Sequence, residues 1–264
     1  SGTRTCCRSA SCWRSMVKVD GAEHTHIARV GDIELYQWDA DLLQPRRWLN
    51  DALIAFAFEH MAQGLTEEDG IVLIEPTVAF AAAMVPPDAL AEMISGGPAG
   101  KARLARLREA RLVVLPVNDN PDSERSGGGH WSCLAFRRPA DGGGHFEYYD
   151  SCADANAEAA QGIRRCFGEL LGGGGGSLPP LHVLATPQQT NGHDCGLYLV
   201  RIAQVLCAEA AEAAEGGPAR APTQPPAALL SLTPANVVKV RAQLLGLVEA
   251  YATPGTPAAG GGSS

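Results

Sequence analysis

Apolar positions fall along this chain in two periods. After Trp48-Leu49-Asn50-Asp51, the residues Leu53, Ile54, Phe56, Ala57, Phe58 and Met61 make a helix that is apolar on most sides. Such a helix is packed in a core, and Asn50 is placed to cap it. Residues 71–74 form a short apolar run of strand length. Helical pieces follow near 88–95 and 99–110; the second sets Lys101, Arg103, Arg106 and Arg108 around Leu104 and Leu107, a solvated basic face. Residues 111–117 (RLVVLPV) read as a buried strand, and 118–129 as a polar, glycine-ended loop. Residues 131–136 and 146–149 read as neighbouring strands joined at Asp141-Gly142-Gly143-Gly144. A helix over 154–171, a glycine connector at 172–176, a strand at 181–185 and a long helix from Cys195 to about Ala214 come next. A Pro/Ala loop at 218–226 leads to a last helix over 234–251.

Strands flanked by helices at both ends describe one α+β domain, a central mixed sheet with helices against it. A chain of 264 residues, 45% hydrophobic and 19% charged, can bury the core such a domain needs. Residues 1–30 are expected to be a flexible leader, 31–252 the folded domain and 253–264 a flexible Gly/Ser/Pro tail. The leader carries Arg4, Arg8 and Arg14 among serines without acids through Val17, a composition shared with transit peptides.

Charge and cysteines set limits on partners. A formal net charge of -8 argues against a general binder of nucleic acid or anionic membrane, which needs excess Lys and Arg. No run approaches 18 apolar residues, so no membrane span is expected. The eight cysteines include no C-x-x-C pair, so no structural metal and no cofactor is expected. Cys133, Cys152, Cys166 and Cys207 lie in apolar stretches, where a free thiol acts as a small hydrophobe. A reducing compartment fits this usage.

The chemistry concentrates in Thr186 to Tyr198, TPQQTNGHDCGLY, between a strand and a helix. Cys195 lands at the helix start, where unpaired N–H groups and the dipole favour thiolate, the nucleophilic form. Its backbone N–H could meet a developing oxyanion, and a side-chain amide from Gln188 or Gln189 could supply a second donor. Among seven histidines, His130 closes the glycine loop and begins a strand. Asp150 ends the following strand, so hairpin pairing would bring the two to one sheet edge and allow a Cys-His-Asp triad. Each residue taken singly also has a structural role open to it: a histidine at a strand start, a turn or capping Asp, an inert buried cysteine.

The motif wording is more specific. Trp48-Leu49-Asn50-Asp51, Gly129-His130-Trp131-Ser132, Tyr149-Asp150-Ser151 and Gln189-Thr190-Asn191-Gly192-His193-Asp194-Cys195-Gly196 resemble, in order and spacing, the Ulp/sentrin-specific proteases. These cysteine peptidases remove ubiquitin-like modifiers and share a papain-like architecture. The resemblance runs from about 33 to 251. Residues 48–59, Asn118-Asp119-Asn120 before Gly128-Gly129, and Leu232-Thr233-Pro234-Ala235 make the chain most similar to the branch acting on the Nedd-type (Rub) modifier.

The resemblance implies Cys195 as nucleophile, His130 as base, Asp150 as its orienter and Gln189 as oxyanion donor, with no metal. It implies Trp48 and Trp131 as a narrow channel over a Gly-Gly tail, with Asn50 and Asp51 also on the substrate side; only glycine lets two indoles close on it. It further implies a monomer in the cytoplasm or nucleus of a eukaryotic cell, its partner the modifier and its conjugates, with loop 118–129 closing over the modifier. His193 stands where family members often carry an aromatic residue. A SUMO-specific protease, a catalytically silent modifier-binding module and an acyltransferase on the same scaffold are the rival readings.

Overall fold

A computed structural model describes residues 25–97, 99–120, 128–139, 142–172, 177–217 and 220–252. The elements are β1 (His26–Val30), β2 (Ile33–Tyr36), α1 (Gln37–Asp41), α2 (Asp51–Gln63), β3 (Ile71–Leu73), α3 (Pro76–Ala82), α4 (Pro87–Ser95), α5 (Gly100–Glu109) and β4 (Leu112–Asn118). They continue with β5 (Trp131–Arg137), β6 (His145–Tyr149), α6 (Ala157–Leu171), β7 (Leu181–Val183), α7 (Cys195–Ala214), α8 (Ala227–Leu230) and α9 (Pro234–Ala250).

The central sheet has the order β3-β4-β5-β6-β7. Its outer pairs, β3 with β4 and β6 with β7, are parallel, and the central β5 runs antiparallel to both β4 and β6. The α+β mixed sheet expected from the pattern is therefore the fold. Strand alternation sends Leu112, Val114, Cys133, Ala135 and Tyr149 to a face covered by α2, α7 and α9, where Leu53, Phe56, Leu199, Leu206 and Val240 complete the core. Val113, Leu115, Leu134, Phe136, Phe146 and Tyr148 point the other way, against α3 to α6. Burial on both sides explains why β4 reads as an unbroken apolar run.

The helices begin where local chemistry allows. Asn50 caps α2 by accepting from the Leu53 N–H at 3.0 Å. Thr233 caps α9 by accepting from Asn236 N–H at 3.3 Å, with Pro234 in its first turn. α6 starts at Ala157, later than 154, because Ala153 and Asp154 have φ of 49° and 60° and cannot belong to a right-handed helix.

The leader boundary needs correction. β1 begins at His26, inside the stretch read as flexible, and turns through Gly31 (φ 53°) and Asp32 into β2. Arg29 N–H donates to Tyr251 O at 3.2 Å and Ala28 bridges Ala252, so the hairpin lies along the end of α9. The earlier leader, the cores of loop 118–129 and of the glycine connector, and the 253–264 tail lie outside the described residues. Cys133, Cys166 and Cys207 are free and buried, as expected; Cys152 is instead disulfide-bonded. No helix among the described residues is long and apolar enough to cross a membrane.

Candidate active site

Cys195 is the first residue of α7 and has no exposed surface. The loop before it is fixed by Asn191, whose Oδ1 accepts from the His193 and Asp194 N–H groups at 3.0 and 3.1 Å. Asp194 in turn accepts from Asn191 Nδ2 at 2.8 Å and from Arg241 of α9 at 3.3 Å. Gly196 lets α7 approach Leu49 closely: a Cβ there would stand 2.9 Å from the Leu49 Cβ. Leu49 O accepts from the Trp131 indole N–H at 2.9 Å, so the Trp48-Leu49 segment, Trp131 and the start of α7 meet at one point.

The histidine and aspartate arrive through strand pairing. β5 and β6 are antiparallel with Cys133 opposite Tyr149, so residue 130 and residue 150 leave the sheet at the same edge. His130 Nε2 lies 2.5 Å from Asp150 Oδ1, with both side chains buried. Asp150 also accepts from Cys152 N–H at 2.8 Å, Tyr148 Oη–H at 2.7 Å and Asn156 N–H at 3.2 Å. Burial alone pushes this carboxyl up, but the bond to His130, its charge and the other donors outweigh burial and hold it below the usual carboxylate range. An ionised carboxylate can only accept, so Nε2 carries the ring hydrogen. That leaves Nδ1, which is buried and has no hydrogen-bond partner among the described residues, as the nitrogen able to receive a proton.

Gln189 is clamped to the residue after Asp150. Its N–H donates to Ser151 O at 2.8 Å, its Oε1 accepts from Ser151 Oγ–H at 2.9 Å, and its Nε2 donates to Asn191 O at 2.7 Å. A thiol at a helix start, an imidazole oriented by a carboxylate and a fixed amide together suit nucleophilic acyl transfer.

No family model matches the chain. It is 30% identical over 220 residues to rat sentrin-specific protease 8, covering 82% of this chain and 91% of that protein. It is also 30% identical over 177 residues to the Arabidopsis thaliana NEDD8-specific protease 1, covering 67% and 73%. The chain belongs to the Ulp/sentrin-specific protease family. It shares the fold of the yeast Ulp1 protease domain solved in complex with Smt3, the yeast orthologue of SUMO, at a TM-score of 0.60 and 18% identity over 87% of this chain and 89% of that one.

The site residues named from sequence occupy different settings. His130 and Asp150 pair at one sheet edge, Gln189 is tied to that edge through Ser151, and Cys195 opens α7; Trp48, half-buried, precedes the Leu49 whose carbonyl accepts from Trp131. Asp51 is exposed in the first turn of α2. Asn50 caps α2 through Oδ1 and donates to Asp39 Oδ1 at 2.6 Å through Nδ2. Gln188 is structural, donating to Asp150 O and Thr186 O, each at 2.9 Å, and accepting from Ala153 N–H at 2.8 Å.

Several supports stand outside the site residues named from sequence. Asn156, 1% exposed, donates to Val117 O at 3.1 Å and His130 O at 3.0 Å. Asp119 accepts from the Gly129 and His130 N–H groups, closing the base of the loop onto the histidine. Arg241 donates to Leu42 O at 2.8 Å, Gln44 O at 3.1 Å and Arg47 O at 2.7 Å besides Asp194, joining the approach to Trp48 with the approach to Cys195. Asp119 stands in a motif the family resemblance already marks; Asn156 and Arg241 carry no local signal.

Proposed function

We propose that residues 26–252 form a thiol isopeptidase and C-terminal hydrolase that cleaves after the terminal Gly-Gly of a Nedd/Rub-type modifier. The observation that carries this reading is the His130 ring, with Nε2–H held by an ionised Asp150 and Nδ1 left for the thiol. The Cys195 proton passes to Nδ1 as sulfur attacks the carbonyl carbon of the final glycine. The Cys195 N–H and Gln189 Nε2–H meet the resulting oxyanion. His130 then gives its proton to the leaving amine, whose C–N bond breaks to leave a thioester. Water, losing a proton to Nδ1, attacks the thioester, and the sulfur leaves as the modifier's carboxylate is released.

Access supports a glycine tail. A carbonyl must reach a sulfur with no exposed surface, beside Trp131 at 7% exposure and half-buried Trp48. A chain end without side chains meets that demand with least displacement. The names of the two curated relatives, sentrin-specific and NEDD8-specific proteases, support the modifier class.

The test uses two probes, one Rub-type and one SUMO-type, each ending in Gly-Gly-vinyl sulfone or a fluorogenic amide. The expected result is labelling and turnover with the Rub probe, both lost in Cys195→Ala. Turnover of the SUMO probe alone keeps the mechanism and overturns the substrate. Turnover retained in Cys195→Ala overturns the mechanism, and binding without turnover or labelling points to a silent binding module.

A further inference from the structure

Ser151 belongs to the Tyr149-Asp150-Ser151 motif, yet the steps above give it nothing to do. It is 2% exposed. It holds Gln189 at two points: its carbonyl accepts the Gln189 N–H at 2.8 Å, and its hydroxyl donates to Oε1 at 2.9 Å. Asn191 O can only accept, so the Gln189 nitrogen must face it, at 2.7 Å. The oxygen end of the amide then faces Ser151, whose hydroxyl serves as its donor. Backbone contact sets where the residue lies, while the hydroxyl at the oxygen end and Asn191 O at the nitrogen end together fix the rotation of the terminal amide, a torsion that is otherwise broad. Donation into Oε1 also polarises the amide and strengthens its N–H groups as donors.

We propose that Ser151 is a positioning residue that sets the oxyanion-donating face of Gln189. This rests on the proposed acyl transfer at Cys195 and adds to it. Asp150 orients the base and Ser151 orients the oxyanion donor, so two successive residues at the end of β6 align both halves of the machinery. A preorganised donor works only if it need not turn during the reaction. Losing one such donor outright costs roughly 100- to 1,000-fold in kcat; loosening it by removing the hydroxyl should cost roughly tenfold, with KM little changed.

The experiment is a double-mutant cycle on Rub-Gly-Gly amide turnover with Ser151→Ala, Gln189→Ala and the pair, together with the rate of Cys195 alkylation by iodoacetamide. Alkylation forms no oxyanion, so it reports the Cys195–His130 pair separately. The expected result is a roughly tenfold loss of kcat in Ser151→Ala, no further loss when it is added to Gln189→Ala, and unchanged alkylation. Ser151→Thr, which keeps the hydroxyl, should recover most of the loss. Equal losses in both Gln189 backgrounds, wild-type kcat in Ser151→Ala, or a parallel fall in alkylation each overturn the assignment. Absence of turnover in the unsubstituted chain is a different failure: it overturns the proposed function, and this inference with it.

Discussion

His130 reaches its place through its backbone as much as through its ring. Its N–H donates to Asp119 at 3.0 Å, its carbonyl accepts from Asn156 at 3.0 Å, and its Nε2 meets Asp150. Asn156 supports this histidine in two ways: its side chain ties the His130 carbonyl to the end of β4, and its N–H donates to the carboxylate. Asn156→Ala leaves two buried carbonyls without that donor. A penalty of about 2 kcal/mol in stability is expected, since leaving a buried polar group unsatisfied costs about 1–3 kcal/mol. The kcat for a Gly-Gly amide should fall roughly tenfold through loss of base alignment. Urea midpoints and steady-state rates measure both, and a variant matching the parent in each would show that Asn156 holds nothing. At this scale the sequence exposes the reacting groups because their residue types and spacing are distinctive. It hides Asn156 because a buried asparagine after a turn looks like any other turn residue.

Among the elements, α7 does most to place the chemistry, and its first turn has little slack. Gly196 sits so close to Leu49 that an added methyl group would stand 2.9 Å from the Leu49 Cβ, and Leu49 also holds the Trp131 indole. Gly196→Ala should therefore displace either Cys195 or the Trp48-Leu49 segment. The expected cost is about 1–3 kcal/mol in stability, the usual range for overpacking, with kcat/KM for the modifier probe down at least roughly tenfold. Thermal unfolding and probe kinetics test this; unchanged kinetics would mean that the first turn tolerates displacement. The start and length of α7, α2 with its Asn50 cap, and the β5–β6 pairing are legible because each rests on a local pattern. The β1–β2 hairpin is not legible: its lateral partners are Tyr251 and Ala252, at the far end of the chain. Pairing over such a separation leaves no periodicity to read. α3 and α8 escape for a different reason, since 7- and 4-residue helices show too little of a 3.6-residue period.

For the whole molecule, the least expected feature is a buried charge cluster on the α7 side of the sheet. Glu147 of β6, with no exposed side-chain surface, accepts from Arg137 of β5 at 2.9 Å, from Arg220 at 2.8 and 3.0 Å and from Tyr149 Oη–H at 2.8 Å. Its Oε1 lies 3.3 Å from His145 Nε2. Glu209 of α7 pairs with both arginines, so the cluster ties two strands, the longest helix and the loop that follows it. Burial alone pushes the Glu147 carboxyl up, but the His145 hydrogen bond and the charges of Arg137 and Arg220 prevail and bring it down to about 2 from an unfolded value of 4.5. Because the folded value is the lower one, the ionised form stabilises the fold fully above pH 4.5, and that contribution drains away as pH falls toward 2. A depression of this size corresponds to about 3 kcal/mol. Glu147→Gln removes a buried counter-charge from two arginines and should cost about 3–5 kcal/mol near neutrality. It should also flatten the acid limb of the stability profile between pH 4.5 and 2, leaving the shallower slope contributed by Asp150, whose carboxyl is likewise held low. Urea unfolding of parent and variant across that range decides the matter. Profiles that converge in acid place the linkage at Glu147, whereas a constant offset would assign the acid sensitivity to other carboxylates.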